Sequence, residues 1–176
     1  MDYIAAGNVM VDKVKFLDGA ESDIHIGGPA FFALSGIRLW TDSCKLVSGV
    51  GADFYDFYGQ WLDDNHISRD GIKIKTEHTT MHLLDYRPDG TYGHKSIYGY
   101  ENLGYLKTTP EDIGAQAKGT KGVYLAQNID RIFWKKLAEQ KEKCGFKFMW
   151  EIEMGSDFDG DAGRILEHLP TADIVS

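Results

Sequence analysis

The sequence predicts an α/β protein built on a doubly wound, mostly parallel sheet, with a second, small β-sheet attached to it. Two observations carry this. Strand-length apolar runs alternate with helical segments over most of the chain, the order of a parallel sheet covered on both faces. Two stretches, about 13–26 and 71–100, break that rhythm with β-rich alternation and are expected to pair with each other. At 176 residues, 43% hydrophobic and 26% charged, the chain has the size and composition of one domain with its own core. It is read as one unit, 1–176, with the two β-rich stretches inserted in it.

The elements follow in order. YIAAG (3–7) reads as a buried strand ending in a turn, and KVKFL (13–17) and SDIHI (22–26) as short strands around DGAE. PAFFALSGIRLW (29–40) is apolar most of the way round, which predicts a buried helix. CKLVSGV (44–50) is strand-like and DFYDFYGQWLDDN (53–65) helical. IKIKT, MHLLDYR and TYGHKSIYG alternate as strands, with RPDGT (87–91) as a hairpin turn because Pro, Asp and Gly each suit one. Thr109 caps a helix over 109–118, with Pro110 at its first position and acids in its first turn. KGVYLAQ is a strand, Asp130 caps a helix that Gly145 stops, FKFMWEIE is a strand and DAGRILEHL a short helix. ADIVS (172–176) reads as the start of a buried strand, so the chain is expected to be the first part of a longer protein.

A formal net charge of −8 disfavours nucleic acid or an anionic membrane as a partner, since both select a basic face. No apolar run approaches the ~18 residues of a membrane span, and Asp2 stands where a signal peptide would carry positive charge. Cys44 and Cys144 are expected to be buried free thiols in a reducing cytoplasm.

General catalytic motifs are missing from the sequence. It has no G-x-x-x-x-G-K-[ST] phosphate loop, no spaced glycines of a dinucleotide site after the first strand, and no H-E-x-x-H or C-x-x-C. His78 and His82, four apart in a strand region, read as surface or lid polar residues. DFDGDAG (157–163) has acids at the first, third and fifth positions of a calcium loop, but Ala162 replaces its glycine and His168 its final glutamate. It reads as a polar loop in which Asp161 caps the next helix.

Gly27 and Gly28 follow a strand and precede Pro29 at a helix start. That arrangement makes a tight turn, lets a polar ligand approach the backbone, and lets the chain bend there. Order and spacing add to this: Gly7-x-x-x-x-Asp12, then Gly27-Gly28-Pro29-Ala30, then Gly51-x-Asp53, then β segments with a Pro-Asp-Gly hairpin, then ADIVS. Taken together these resemble the N-terminal half of the PfkB (ribokinase-like) family of carbohydrate and nucleoside kinases.

The resemblance implies a ribokinase-like domain whose β-rich segments, 13–26 and 71–100, form a lid over a sugar site. It implies transfer of the γ-phosphoryl of ATP, with Mg2+, to a hydroxymethyl group of a small sugar or nucleoside. Asp12 matches the acid that hydrogen-bonds sugar hydroxyls, a role suited to a strong double acceptor. Gly27 and Gly28 match the pair that touches the sugar and flexes as the lid closes, and Asp53 matches an acid that shapes the turn and helix start. Met10 and Phe32 stand where relatives often carry Asn, pointing to a less hydroxyl-dense or partly aromatic substrate. Asn128, with Gln127 beside it, is the candidate polar contact after the strand 121–127. Phe31, Phe32, Met10 and Tyr98 read equally well as core or lid packing. The resemblance also implies that the ATP site and the general base lie beyond Ser176, so this chain alone is expected to be inactive. A noncatalytic carbohydrate-binding or regulatory relative is the other reading, and a homodimer through the lid sheet would be compatible with either.

Overall fold

The computed structural model describes residues 1–98, 104–127, 130–152 and 162–176. Ten strands are described: β1 (Tyr3–Ala6), β2 (Met10–Lys15), β3 (His25–Gly27), β4 (Cys44–Gly51), β5 (Ile72–Thr76), β6 (Met81–Tyr86), β7 (Tyr92–Tyr98), β8 (Gly122–Gln127), β9 (Lys147–Ile152) and β10 (Ile174–Val175). The helices are α1 (Pro29–Arg38), α2 (Phe54–Asp64), α3 (Pro110–Gln116), α4 (Arg131–Cys144) and α5 (Ala162–His168), the last running into a 3-10 turn at Leu169–Thr171.

The main sheet has the order β10-β9-β8-β1-β4-β5, and every neighbouring pair in it is parallel. Period-2 alternation sends successive residues to opposite faces, and two separate cores result. Ala5, Leu46 and Tyr124 join Leu34 of α1 and Phe54, Tyr58 and Leu62 of α2. Ile4, Ala6, Val47, Leu125 and Phe148 join Ile113 of α3 and Trp134 and Leu137 of α4 on the other face. Each large side chain so buried stabilises the fold by about 1.5–3 kcal/mol. The doubly wound arrangement is therefore what the run of apolar strands predicts.

The caps act as their residue types dictate. The Thr109 hydroxyl accepts from the Asp112 backbone N–H while Asp112 accepts from that of Thr109, a complete capping box. Burial alone would raise the Asp112 carboxyl, but hydrogen bonds from Lys73 and Lys75 outweigh it and hold it well below the usual carboxylate range. Asp130 accepts from the backbone N–H groups of Ile132 and Phe133, and Gly145 ends α4 in the left-handed conformation. The expected Asp161 cap and most of the calcium-loop-like stretch lie outside the described residues.

The second sheet is mixed, in the order β3-β2-β6-β7. Strand β2 pairs antiparallel with β3 and parallel with β6, and β6 pairs antiparallel with β7 across the 87–91 turn. Three expectations need correction. Residues 71–76 do not belong to this sheet, because β5 pairs with β4 and forms an edge of the main one. An edge strand with one exposed face alternates just as a strand of a small sheet does, so its pattern alone misassigns it. Helix α1 is not buried all round: Ala30, Phe31 and Leu34 are buried, but Phe32 is 64% and Trp40, just past the helix end, 90% exposed. Strand β10 pairs with β9 as the last strand of the sheet among the described residues. Cys44 and Cys144 are both free thiols, but only Cys44 is buried; Cys144, the last residue of α4, is partly exposed where burial was expected.

Candidate functional site

The glycine pair sits where β3 meets α1, with Gly28 closed in by backbone and Gly27 by side chains. Gly28 has φ of +98°, and a Cβ there would stand 2.8 Å from the Asn8 carbonyl oxygen and 2.9 Å from the Val9 Cα. A Cβ on Gly27 would stand 2.9 Å from Asp12 Oδ2 and 3.6 Å from Phe32 Cζ. Gly27 thus leaves room for the Asp12 carboxylate and the Phe32 ring side by side. Pro29 occupies the first helical turn, as expected.

Sheet register completes the arrangement. Met10 lies opposite Gly27, and Asp12 lies opposite His25 on β3 and level with His82 on β6. His82 Nδ1 is 3.7 Å from Asp12 Oδ1. His94, on β7, brings its ring centroid to 5.2 Å from that of His82. Burial raises the Asp12 carboxyl, an effect opposed by His82, His25 and His94 in turn. Burial likewise lowers the His82 imidazole, opposed by Asp12. Desolvation therefore moves both partners toward their neutral forms.

Tyr58 of α2 fastens this region to the core. Its hydroxyl receives the Gly27 backbone N–H at 3.0 Å and lies 2.6 Å from the carbonyl oxygens of both Met10 and Gly27, to one of which it donates. Burial pushes its phenol well above the ordinary range, so it stays protonated and able to donate. Asp53 has a related task. It makes no side-chain cap bond to its own helix; its carboxylate accepts the Thr79 backbone N–H at 2.7 Å and lies 3.1 Å from His78 Nδ1. Asp53 thus shapes the segment that enters β6.

An open cleft of about 770 Å³ is lined by Met10, Asp12, Gly28 and Phe32, together with Tyr124 of β8 and Glu151 of β9. The Tyr124 hydroxyl donates to Glu151 Oε2 at 2.6 Å. Four of the six residues singled out in the sequence therefore line one cleft, and Gly27 packs directly against Asp12 and the Phe32 ring. Asn128 lies outside the described residues, as does the Gln127 side chain. Phe31 is core, and Tyr98 stacks on His78 at 4.4 Å rather than lining the cleft. Sequence reasoning missed Tyr58, His82, Tyr124 and Glu151. The period-2 position of His82, the same as that of the strand residues facing Asp12, was the one available signal.

No protein-family model and no curated protein sequence matches the chain. Solved structures do. A PfkB family carbohydrate kinase from Listeria grayi aligns with 99% of this chain and 60% of its own, at a TM-score of 0.78 and 13% identity. A fructokinase with bound ATP from Xylella fastidiosa aligns with 99% of this chain and 56% of its own, at 0.72 and 18%. A Burkholderia thailandensis nucleoside kinase in complex with inosine aligns with 98% and 58%, at 0.70 and 13%. The chain spans less than two thirds of each of these proteins. Its parallel sheet, its helices and its small mixed sheet together make up part of the ribokinase-like fold that carbohydrate and nucleoside kinases of the PfkB type share.

Proposed function

We propose that this chain is the substrate-binding and lid part of an ATP-dependent kinase that phosphorylates a small sugar or a related hydroxyl compound. The observation that carries the reading is the convergence of Met10, Asp12, Gly28 and Phe32 on one cleft, where the small sheet meets α1 and the main sheet. Ligands of open parallel sheets bind at such crevices. An ionised Asp12 accepts two hydrogen bonds from a polyol, and the Gly28 backbone lets the ligand lie close to the chain. Small-sheet strands β2, β3, β6 and β7 act as the lid, excluding water as they close over the substrate.

ATP and Mg2+ supply the phosphoryl group and neutralise its charge in this reading. The sequence of residues 1–176 has no G-x-x-x-x-G-K-[ST] phosphate loop. The nucleotide site and the general base are assigned to chain beyond Ser176, and residues 1–176 alone to an inactive state. Among the described residues no helix is long and apolar enough to cross a membrane.

The test is ATP turnover by the full-length protein against a panel of sugars and nucleosides. Asp12→Ala should lower kcat/KM by roughly a hundredfold or more, the loss expected for a charged hydrogen-bonding group. Unchanged kinetics with every accepted substrate would remove Asp12 from the site. Ligand binding without any turnover would favour the noncatalytic relative.

A further inference from the structure

We propose that His25, His82 and His94 form a proton-taking row around Asp12, with His82 as the positioning residue that keeps this carboxylate in its ionised, hydroxyl-accepting form as the medium acidifies. The inference rests on the reading of the cleft as the substrate site and names a regulation of that site by protons.

The first observation is register. Strands β3, β2 and β6 bring His25, Asp12 and His82 level with one another, and residues level across a sheet share a face. The next strand continues the row. His82 lies opposite Ser96 on β7, and His94, two residues before Ser96, is the diagonal neighbour of His82 on the same face. One carboxylate is thus set between two imidazoles, with a third a strand further on. Met10 shares this face with Asp12, and both line the cleft. The phenols of Tyr86 and Tyr92 continue the face toward the hairpin.

The second observation is distance. His82 Nδ1 is 3.7 Å from Asp12 Oδ1, too long for a hydrogen bond but within ion-pair range, and both side chains are largely shielded from water. Oδ2 fills the gap left by the missing Cβ of Gly27, which leaves Oδ1 turned toward His82. The His82 and His94 ring centroids are 5.2 Å apart. Two further titratable groups face Asp12 among the described residues. The Tyr58 hydroxyl of α2 is held by the Gly27 and Met10 backbone, and Glu151 of β9, across the cleft, accepts from Tyr124. Lys13, Lys15 and Lys95 alternate with members of the row, so strand periodicity places them on the opposite face.

Imidazoles ordinarily take up a proton at about pH 6.5 and aspartates at about 3.9, so acid charges such a row before it neutralises the carboxylate within it. Each imidazolium then favours the ionised carboxylate beside it. Burial raises the Asp12 carboxyl, and His82, His25 and His94 oppose that rise in falling order, the two adjacent imidazoles ahead of the one a strand further away. Burial also works against charge on His82, with Asp12 opposing it, so the two titrate as a coupled pair. Hydroxyls donate to Asp12 only while its carboxylate has a lone pair to accept them, and the ionised form accepts most strongly. His82 is not among the residues that line the cleft, so it acts through Asp12. The row thereby extends to lower pH the range in which the cleft holds a hydroxyl compound.

The test has two readouts on the full-length protein. The first needs no ligand: aspartate side chains are labelled with carbon-13, the Asp12 signal is assigned by its loss in Asp12→Asn, and its titration is followed by NMR. His82→Gln should move the Asp12 midpoint to higher pH, His25→Gln and His94→Gln should move it less, and His82→Lys, with a lasting charge, should bring it back down. His25 and His94 are exposed, so their variants report even if the His82 substitutions impair folding. Midpoints unmoved or lowered in the glutamine variants would overturn the inference while leaving the kinase reading in place. The second readout is calorimetry from pH 8 to pH 5 with panel compounds that do not titrate in that range, such as fructose, ribose and inosine. Each profile is scaled to its own affinity at pH 8, so a general loss of fit does not count. On the acid limb His82→Gln should lose about fivefold more affinity than the unmodified protein. NMR midpoints that move while affinity fails to follow them would remove Asp12 as the substrate contact, and the inference with it. If no sugar or nucleoside of the panel binds at any pH, the reading of the cleft as a substrate site falls, and the inference again falls with it.

Discussion

Asp12 is braced on two sides. Oδ2 lies where Gly27 lacks a Cβ, and Oδ1 faces His82 across a strand boundary. Its carboxyl is raised chiefly by burial, so the folded protein takes up the Asp12 proton at a higher pH than the unfolded chain does. The sign follows: between the ordinary value of 3.8 and the raised one, the folded state holds the proton and the unfolded state does not. Asp12 therefore contributes stability at low pH that is lost as pH rises through its folded value. Ligand binding runs the other way, because hydroxyls donate to the ionised form. Affinity of the full-length protein should fall on acidification at a pH above the ordinary aspartate range, whereas the Asp12→Asn variant should give a flatter profile. Calorimetric titrations at a series of pH values would check this, and identical profiles for the two proteins would remove Asp12 as the titrating contact.

Helix α2 connects the core to the small sheet at two places. Asp53, just before it, holds the segment entering β6, and Tyr58, one turn in, holds β2 to β3. The Tyr58 ring also stacks on Phe54 with centroids 4.5 Å apart. Tyr58→Phe keeps that packing and removes only the hydroxyl, leaving the buried Gly27 N–H without the acceptor it has here. An unsatisfied buried group of this kind costs about 1–3 kcal/mol. Urea denaturation should show that loss with little change in slope, and substrate affinity should fall as well, because Gly27 and Met10 lose their shared anchor. An unchanged midpoint would show that the hydroxyl contributes nothing to either.

These contacts also show how much of the site the sequence makes legible. Gly27, Gly28 and Pro29 announce themselves because a positive φ and a helix start restrict the residue types allowed there. The capping residues Thr109, Asp130 and Gly145 are legible for the same local reason. Tyr58 is not, since a tyrosine among Phe54, Tyr55 and Phe57 reads as core until its hydroxyl is seen to reach two strands. His82 comes level with Asp12, and Glu151 reaches the cleft, only through register between strands distant in sequence. The β5 assignment fails similarly: alternation reports one exposed face, and partner choice decides which sheet the strand joins.

At the scale of the molecule the two sheets differ in how they are held. The main sheet is buried on both faces at its centre, where β1 and β8 lie between two apolar cores. In the small sheet the residues of β7 are half-buried or exposed throughout, and much of β6 is too. Val11 of β2 and Met81 of β6 join the core with Ile26 of β3 beside them, and the Tyr58 hydroxyl and Asp53 carboxylate add polar links, but β7 and the outer end of β6 contribute no buried side chain. Few buried apolar contacts mean a low free energy of local opening. Amide hydrogen exchange should therefore find β6 and β7 opening well before β1, β4 and β8, which should exchange only on global unfolding. A ligand bound against Asp12 acts on the low-stability unit selectively, because it binds the ordered small sheet and not its opened form. At a hundred times its Kd it should slow exchange in β2 and β6 by about a hundredfold, the equivalent of roughly 2.7 kcal/mol. The centre of the main sheet should change by no more than the rise in global stability. Equal protection of both sheets in the free protein would mean that the small sheet is an integral part of the core, and a lid that opens separately would then have no basis in this fold.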